Sequence, residues 1–250
     1  MKLDIIIEAR MSSSRLPGKV MLKVLGKPLL EHLINRLNKL KKINRIIIAT
    51  TKKKSDDEIV NLANKLSINY FRGSENDVLG RVVRAGKKYK VKNVINITSD
   101  CPILDTQILN RMINIFEKNK FDCVSNSFVR SYPDGMDATI CKFNSLKYSD
   151  KFGKKPEYRE HTTLFIHQNP KIFKIKNYKA QGNLYWPQLG LTLDEKNDYL
   201  LIKKIIIFFF KKKNFNFKLR EIIKVLKKNK SWTKINSKVK RKAYDKDKLL

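Results

Sequence analysis

The chain alternates between short β-branched runs and longer amphipathic stretches. Runs rich in Ile and Val are typical of strands, and apolar residues spaced three or four apart indicate helices with one buried face. Strands are predicted at 3–9, 45–50, 69–72, 93–98, 123–126 and 189–193, and helices at 28–40, 55–66, 78–89, 105–119, 196–210 and 218–228. This alternation predicts an α/β fold of three α/β/α layers around a mostly parallel, Rossmann-like sheet.

The regular pattern is interrupted between residues 128 and 143. Tyr132-Pro133-Asp134-Gly135 is a turn signal between extended segments, which predicts an inserted β-hairpin. The core is expected to close near residue 210. Residues 1–210 would then form one domain, and residues 211–250 a basic helical extension whose last dozen residues are frayed.

Charge adds a question about partners, because 55 Lys and Arg oppose 23 acidic residues and give a net charge of +32. Clustered cations bind a nucleic-acid backbone by releasing counterions. Here Lys is spread over every segment, so we interpret the charge as a compositional bias and expect no specific nucleic-acid binding. Residues 201–250 hold 18 basic against 3 acidic residues, which leaves two alternatives open: a nucleic-acid or membrane-surface protein, or a weak attachment of the tail to anionic membranes.

Several features favour a reducing, cytoplasmic location. Three widely spaced cysteines without a CxxC pair suggest neither a disulfide framework nor a zinc site. The first residues include an acid and too few apolar side chains for a signal peptide. The longest apolar run, residues 205–210, is far below the ~20 residues of a membrane span.

Candidate chemistry lies in the loop after the first strand, where ligands of open parallel sheets bind. This loop reads Ala9-Arg10-Met11-Ser12-Ser13-Ser14-Arg15-Leu16-Pro17-Gly18-Lys19. Two guanidinium groups, an ammonium, three hydroxyls and a glycine suit a triphosphate. The spacing is neither that of a Walker A loop nor Gly-x-Gly-x-x-Gly, and a polar surface loop is the alternative.

This loop resembles the CTP-binding signature of the acylneuraminate and ketodeoxyoctulosonate cytidylyltransferases, nearest to their SpsF-like branch. The resemblance covers residues 3 to about 205 and includes four further stretches in family order. These stretches are Phe71-Arg72-Gly73-Ser74-Glu75-Asn76-Asp77-Val78-Leu79, Thr98-Ser99-Asp100-Cys101-Pro102, Tyr132-Pro133-Asp134-Gly135-Met136-Asp137 and Arg159-Glu160-His161-Thr162.

The resemblance implies a nucleotide-diphospho-sugar transferase fold and the transfer of CMP from CTP to a sugar acid, with release of pyrophosphate. The acceptor would be of the nonulosonic or ketodeoxyoctulosonic type, used in surface polysaccharide or glycoconjugate biosynthesis. Mg²⁺ is the implied cofactor. A homodimer, formed through residues 128–143, is the implied assembly.

The resemblance also assigns roles to individual residues. The nucleotide would contact Ala9, Arg10, Ser12, Ser14, Arg15, Gly18, Lys19, Arg72, Ser74 and Asp77. Arg10, Lys19 and Asp100 would be catalytic, Asp100 and Asp194 would hold the metal, and the acceptor would face Asp134, Asp137, Arg159, Glu160 and His161. No general base is assigned, and His32 and His167 receive no role.

Three of these assignments have alternatives. Asp100 could serve a turn, Asp134 and Asp137 could serve the Pro133-Asp134-Gly135 turn, and Asp198 competes with Asp194. The family that this chain resembles usually has an Arg shortly before the second metal carboxylate, and the aligned position here is Gly190. Either charge compensation beside that carboxylate is lost, or the alignment slips.

A glycosyltransferase of similar sheet topology is the rival enzyme. Such an enzyme uses a metal-binding Asp-x-Asp, and Ser99-Asp100-Cys101 lacks the first Asp.

Overall fold

The computed structural model describes residues 2–241 and contains a seven-stranded sheet. The strand order is β5-β4-β1-β6-β8-β7-β9, and only β8 runs antiparallel to its neighbours. The sheet strands are β1 (Leu3–Glu8), β4 (Ile43–Thr51), β5 (Asn69–Gly73), β6 (Asn93–Thr98), β7 (Cys123–Ser125), β8 (Thr139–Lys142) and β9 (Ile175–Asn177). Two short strands, β2 (Lys23–Val24) and β3 (Lys27–Pro28), pair separately.

Helices cover both faces of the sheet. Their bounds are α1 (Leu29–Leu37), α2 (Asp57–Lys65), α3 (Val78–Lys88), α4 (Thr106–Lys118), α5 (Phe143–Phe152), α6 (Pro156–Glu160), α7 (Leu164–Gln168), α8 (Lys196–Lys211), α9 (Leu219–Lys228) and α10 (Lys230–Thr233). Helices α1, α2, α4, α8 and α9 pack in one apolar cluster, and α3, α5 and α7 pack in the other. The predicted three-layer α/β/α fold is therefore confirmed.

Strand β1 illustrates why the sheet is buried on both faces. Its side chains alternate: Leu3, Ile5 and Ile7 enter one cluster, and Ile6 enters the other. All four are fully buried. A strand with apolar residues on both faces is stable only between two layers of helices, and such a central strand holds the loop that follows it on a rigid base.

Two predicted elements differ in the structure. The extended segments flanking the turn at residues 132–135 do not form a separate hairpin; residues 139–142 become β8, which inserts between β6 and β7. Residues 189–193 are not a strand, since only an isolated bridge joins Gly190 to Asp134. The backbone of this segment bonds to loop residues instead of a neighbouring strand.

Residues of the described segment 211–241 pack against the rest of the chain. Helix α9 buries Leu219, Ile222, Ile223 and Leu226 in the same cluster as α1 and α4. The core is thus continuous across the predicted boundary at residue 210. The fraying predicted for the last dozen residues falls mostly outside the described range.

Among residues 2–241, no helix is both long and apolar enough to cross a membrane.

Candidate active site

A cavity of about 640 Å³ opens at the carboxyl ends of β1 and β6. Its walls include Glu8 at the end of β1 and Asp100 after β6. Because β8 runs antiparallel to β6, the residues that precede β8 meet this same edge. The loop of residues 126–138 thereby brings Asp134 and Asp137 into the cavity wall.

The loop after β1 is held in a compact shape by its own backbone. Gly18 has φ 68°, a left-handed conformation that favours glycine, and its amide donates to the Met11 carbonyl at 2.9 Å. The Met11 amide donates in turn to the Asp56 carboxylate at 2.8 Å. Ala9, Arg10, Ser14, Arg15 and Lys19 line the cavity, whereas the Ser12 hydroxyl turns to Glu75.

Asp56 is a structural residue of the site that the sequence did not single out. It is fully buried and accepts from the Thr50 hydroxyl at 2.9 Å and from the Thr51 amide and hydroxyl at 3.0 and 2.6 Å. Burial acts to raise the pKa of Asp56, but these hydrogen bonds outweigh it and the pKa is lowered. A negatively charged Asp56 therefore ties the loop after β1 to the end of β4.

The centre of the cavity is an ionic cluster of Lys19, Asp100, Asp194 and Arg15. The Lys19 ammonium lies 3.2 Å from Asp100 Oδ2 and 3.0 Å from Asp194 Oδ1, and Arg15 Nη2 lies 2.8 Å from the same Asp194 oxygen. The Lys19 side chain is only 12% exposed. Burial acts to lower the pKa of Lys19, but the two carboxylates outweigh it and the pKa is raised.

The same interactions act on Asp194. Burial acts to raise its pKa, and the charges of Lys19 and Arg15 outweigh burial so that the pKa is lowered. Asp194 is thus kept ionised inside the cavity. Residues separated by 81 and 175 positions in the chain meet at one ammonium group, as expected if these three side chains share one ligand.

The carboxylates of the cavity could hold Mg²⁺ together with ligands from a bound substrate and from water. Within the described residues, no group of three His, Cys, Asp or Glu side chains could hold a metal ion. Asp100 and Asp194 supply two carboxylates. Mg²⁺ in nucleotide enzymes is commonly held by one or two carboxylates, completed by substrate phosphates and water.

A second ionic group, built around Arg130, also lines the cavity. Its guanidinium contacts both Asp137 oxygens, at 3.1 and 2.9 Å, and lies 3.3 Å from Asp134. Burial, and then the charge of Asp137, raise the pKa of Asp134 to about 7. The turn chemistry is present too, since Gly135 has φ 100°. No motif in the sequence pointed to Arg130.

The rest of the cavity wall includes the carboxyl group of Glu8 with its hydrogen-bond partners, and a pair of stacked rings. Glu8 accepts from Asn96 at 2.8 Å and from Thr162 at 2.5 Å, and burial raises its pKa despite these bonds. Phe128 stacks on His167 with ring centroids 4.3 Å apart. Glu160 and His161 also line the cavity. Glu8 was missed, although a charged residue at the end of a buried strand is itself a signal.

Four residues predicted to contact a substrate do not line the cavity, and their polar groups bind other groups of the protein. They are Arg72, Ser74, Asp77 and Arg159. The Arg72 guanidinium donates to the Thr51 and Lys53 carbonyls and pairs with Asp57. Ser74 accepts from the Asp77 amide at 3.1 Å.

Asp77 and Arg159, assigned to the nucleotide and to the acceptor, instead bind each other. Asp77 caps α3 by accepting from the Gly80 amide at 3.0 Å, and it also accepts from Arg159 Nε at 2.8 Å. Arg159 also pairs with Asp150 at 2.6 Å. The predicted contact between Arg159 and the acceptor does not fit this arrangement, because Asp77 and Asp150 already occupy its guanidinium.

A family model described as Cytidylyltransferase matches residues 5–242. The chain is 37% identical over 247 residues to an uncharacterised protein of Methanocaldococcus jannaschii, covering 98% of each. It is 32% identical over 206 residues to the spore coat polysaccharide biosynthesis protein SpsF of Bacillus subtilis, covering 80% of this chain and 84% of that one. An 8-amino-3,8-dideoxy-manno-octulosonate cytidylyltransferase of Shewanella is 32% identical over 128 residues, about half of each chain.

The fold is likewise similar to that of a solved protein. A cytidylyltransferase from Leptospira borgpetersenii superposes with a TM-score of 0.87 at 32% identity, covering 93% of this chain and 97% of that one.

Proposed function

The chain belongs to the cytidylyltransferase family, and from this premise we propose that it transfers CMP from CTP to a sugar acid and releases pyrophosphate. The observation that carries the proposal is the meeting of Lys19, Arg15, Asp100 and Asp194 at the carboxyl end of the central strands. This edge of an open parallel sheet is where ligands bind.

The triphosphate would lie against the loop after β1. Arg10, Arg15 and Lys19 offer three cations along the cavity wall, and the left-handed Gly18 shapes the turn that carries them. Charge builds up on the phosphate oxygens as the sugar oxygen attacks the α-phosphorus and pyrophosphate leaves. Cations fixed in advance around that charge lower the barrier.

Asp100 and Asp194 are the residues that would hold Mg²⁺. A bound Mg²⁺ would neutralise phosphate charge and orient the triphosphate. Lys19 lies between the two carboxylates, where its ammonium would add positive charge beside the phosphates.

The acceptor would occupy the part of the cavity formed by Asp134, Asp137, Glu160, His161 and the Phe128–His167 pair. Carboxylates and neutral polar groups bind sugar hydroxyls, and a stacked aromatic pair offers a face to a sugar ring. Relatives named for octulosonate activation and for polysaccharide biosynthesis support a sugar acid used in such a pathway.

We favour this reaction over glycosyl transfer from a nucleotide sugar. The rival uses an Asp-x-Asp pair, whereas the two central carboxylates here come from distant parts of the chain and share a lysine. A cytoplasmic location, a homodimer and a weak attraction of the basic tail to anionic membranes stay predictions.

The test is to incubate the protein with each of the four nucleoside triphosphates, with Mg²⁺ or EDTA, and with a panel of eight- and nine-carbon keto-sugar acids, and to measure pyrophosphate. Release that requires CTP, Mg²⁺ and one class of acceptor is expected. Equal release from all four nucleotides, or none with any acceptor while salt-sensitive oligonucleotide binding is strong, would refute the proposal.

A further inference from the structure

The space beside Gly190 is filled by an arginine from the C-terminal segment. A Cβ atom added at Gly190 would lie 2.5 Å from Arg241 Cζ and 2.7 Å from its Nε. Gly190 is not among the residues with positive φ, so its backbone conformation does not require glycine. A side chain at this position would have to displace the guanidinium of Arg241.

Arg241 neutralises a carboxylate that has no contact with solvent. Its Nη1 and Nη2 atoms lie 3.0 and 2.6 Å from the two oxygens of Asp198, which is fully buried. Asn236 adds a hydrogen bond of 2.7 Å to Asp198 and another of 2.9 Å to the Gly190 carbonyl. A buried carboxylate without a partner is strongly destabilising, so Asp198 depends on residues 236–241.

Asp198 in turn fixes the backbone of Asp194. Its Oδ2 atom accepts from the amides of Asp194 and Glu195 at 3.0 and 2.9 Å. Arg241 Nη1 also lies 3.8 Å from Asp194 Oδ2, on the side away from the oxygen that Lys19 contacts. The chain of contacts runs from Arg241 through Asp198 to the Asp194 carboxylate.

The C-terminal segment also touches the phosphate loop directly. Arg15 Nη1 donates to the Lys240 carbonyl at 3.5 Å, and Arg15 is the second cation on Asp194. Residues 236–241 therefore contact both the loop that carries Asp194 and the loop assigned to the triphosphate.

We propose that Arg241 is a positioning residue for the nucleotide site. Arg241 holds Asp194 in place from the C-terminal segment, and it takes the position that an arginine side chain at residue 190 would otherwise fill. The inference rests on the proposed function. It also accounts for Gly190: the charge beside Asp194 is not lost, because it is supplied from residue 241.

The test compares four variants for MgCTP binding by calorimetry and for melting temperature without ligand. Arg241→Ala should weaken MgCTP binding by about 10–100-fold, the usual effect of removing a residue that orients a metal ligand, and lower the melting temperature by roughly 5 °C or more. Lys238→Ala is the matched control, because it removes an exposed cation from the same segment and should change neither quantity.

The decisive variant moves the arginine. In Arg241→Ala/Gly190→Arg, the new side chain enters the space vacated beside Gly190, and MgCTP affinity should return to within about threefold of wild type. Gly190→Arg alone should lower the melting temperature, since two guanidinium groups compete for one site. Should Arg241→Ala fail to fold, the double variant and Arg241→Lys provide the same comparison.

Two results would overturn the inference: wild-type affinity in Arg241→Ala, or a double variant that binds MgCTP as weakly as Arg241→Ala. Failure of the proposed function looks different, because the wild-type protein itself would then not bind MgCTP.

Discussion

Replacing Lys19 with Met keeps most of the side-chain volume and removes the ammonium between Asp100 and Asp194. At about 3 Å and an effective dielectric constant near 20, each ion pair has a gross attraction of about 5 kcal/mol. Desolvation cancels much of it, and Arg15 still faces Asp194. We therefore expect the free energy of unfolding to fall by only about 1–3 kcal/mol.

The effect on catalysis should be larger than the effect on stability. Loss of one preorganised cation from a site of developing negative charge costs about 10²–10³ in kcat. By contrast, the nucleotide-free Lys19→Met protein should bind Mg²⁺ more tightly than the wild type, because the ammonium of Lys19 competes with the ion for the two carboxylates. Tighter Mg²⁺ binding together with slower turnover is the pattern expected of Lys19→Met.

The assay is pyrophosphate release from CTP with the acceptor found in the panel, together with a calorimetric Mg²⁺ titration. Lys23→Met is the matched control, since Lys23 is an exposed lysine near the same loop that does not line the cavity. A kcat/KM for Lys19→Met within about threefold of wild type would refute the reasoning.

Three further predictions address one residue of the cavity wall and two residues that support the surrounding structure. Because the pKa of Asp134 is raised to about 7, its contribution to stability, up to about 4 kcal/mol, is present below pH 4 and lost as pH rises through 7. Between pH 5 and 8 the melting temperature of Asp134→Asn should change less than that of the wild type, and a change as large as that of the wild type would contradict the prediction. Asp56→Asn should cost about 1–3 kcal/mol in denaturant unfolding and weaken CTP binding; unchanged values for both would argue against its role. Arg159→Lys should lower the melting temperature by breaking the bridge between Asp77 and Asp150, with the acceptor KM unchanged; a raised KM at constant stability would instead indicate substrate contact.

The sequence predicted the layers of the fold because each buried strand and helix carries its own periodic signal. Strand β8 was missed as part of the main sheet because its position depends on pairing with distant residues, such as Cys123 opposite Cys141. Residues 189–193 have the apolar alternation of a strand, with Leu189, Leu191 and Leu193 buried. Their amides bond to the Asp100 and Asp134 carbonyls instead, which no local pattern shows.

The sequence predicted only part of the candidate site, again because contacts between distant residues leave no local pattern. Family motifs identified Lys19, Asp100 and Asp194 at positions that the structure brings together. Motif membership did not distinguish a side chain that faces the cavity from one that supports it. Arg159 has the chemistry of a carboxylate ligand, and only the fold shows that protein carboxylates already occupy it.

The contact between Arg15 and Lys240 joins residues 225 positions apart, and this has a consequence for biosynthesis. A growing polypeptide folds from its N-terminus as it leaves the ribosome, so the loop assigned to phosphate emerges early and Asp198 emerges long before its cationic partner. Closing so long a loop costs little more than closing a shorter one. Until residue 241 has emerged, Asp198 lacks its guanidinium partner, so the cavity beside Asp194 would be completed only after the strands of the sheet have been synthesised.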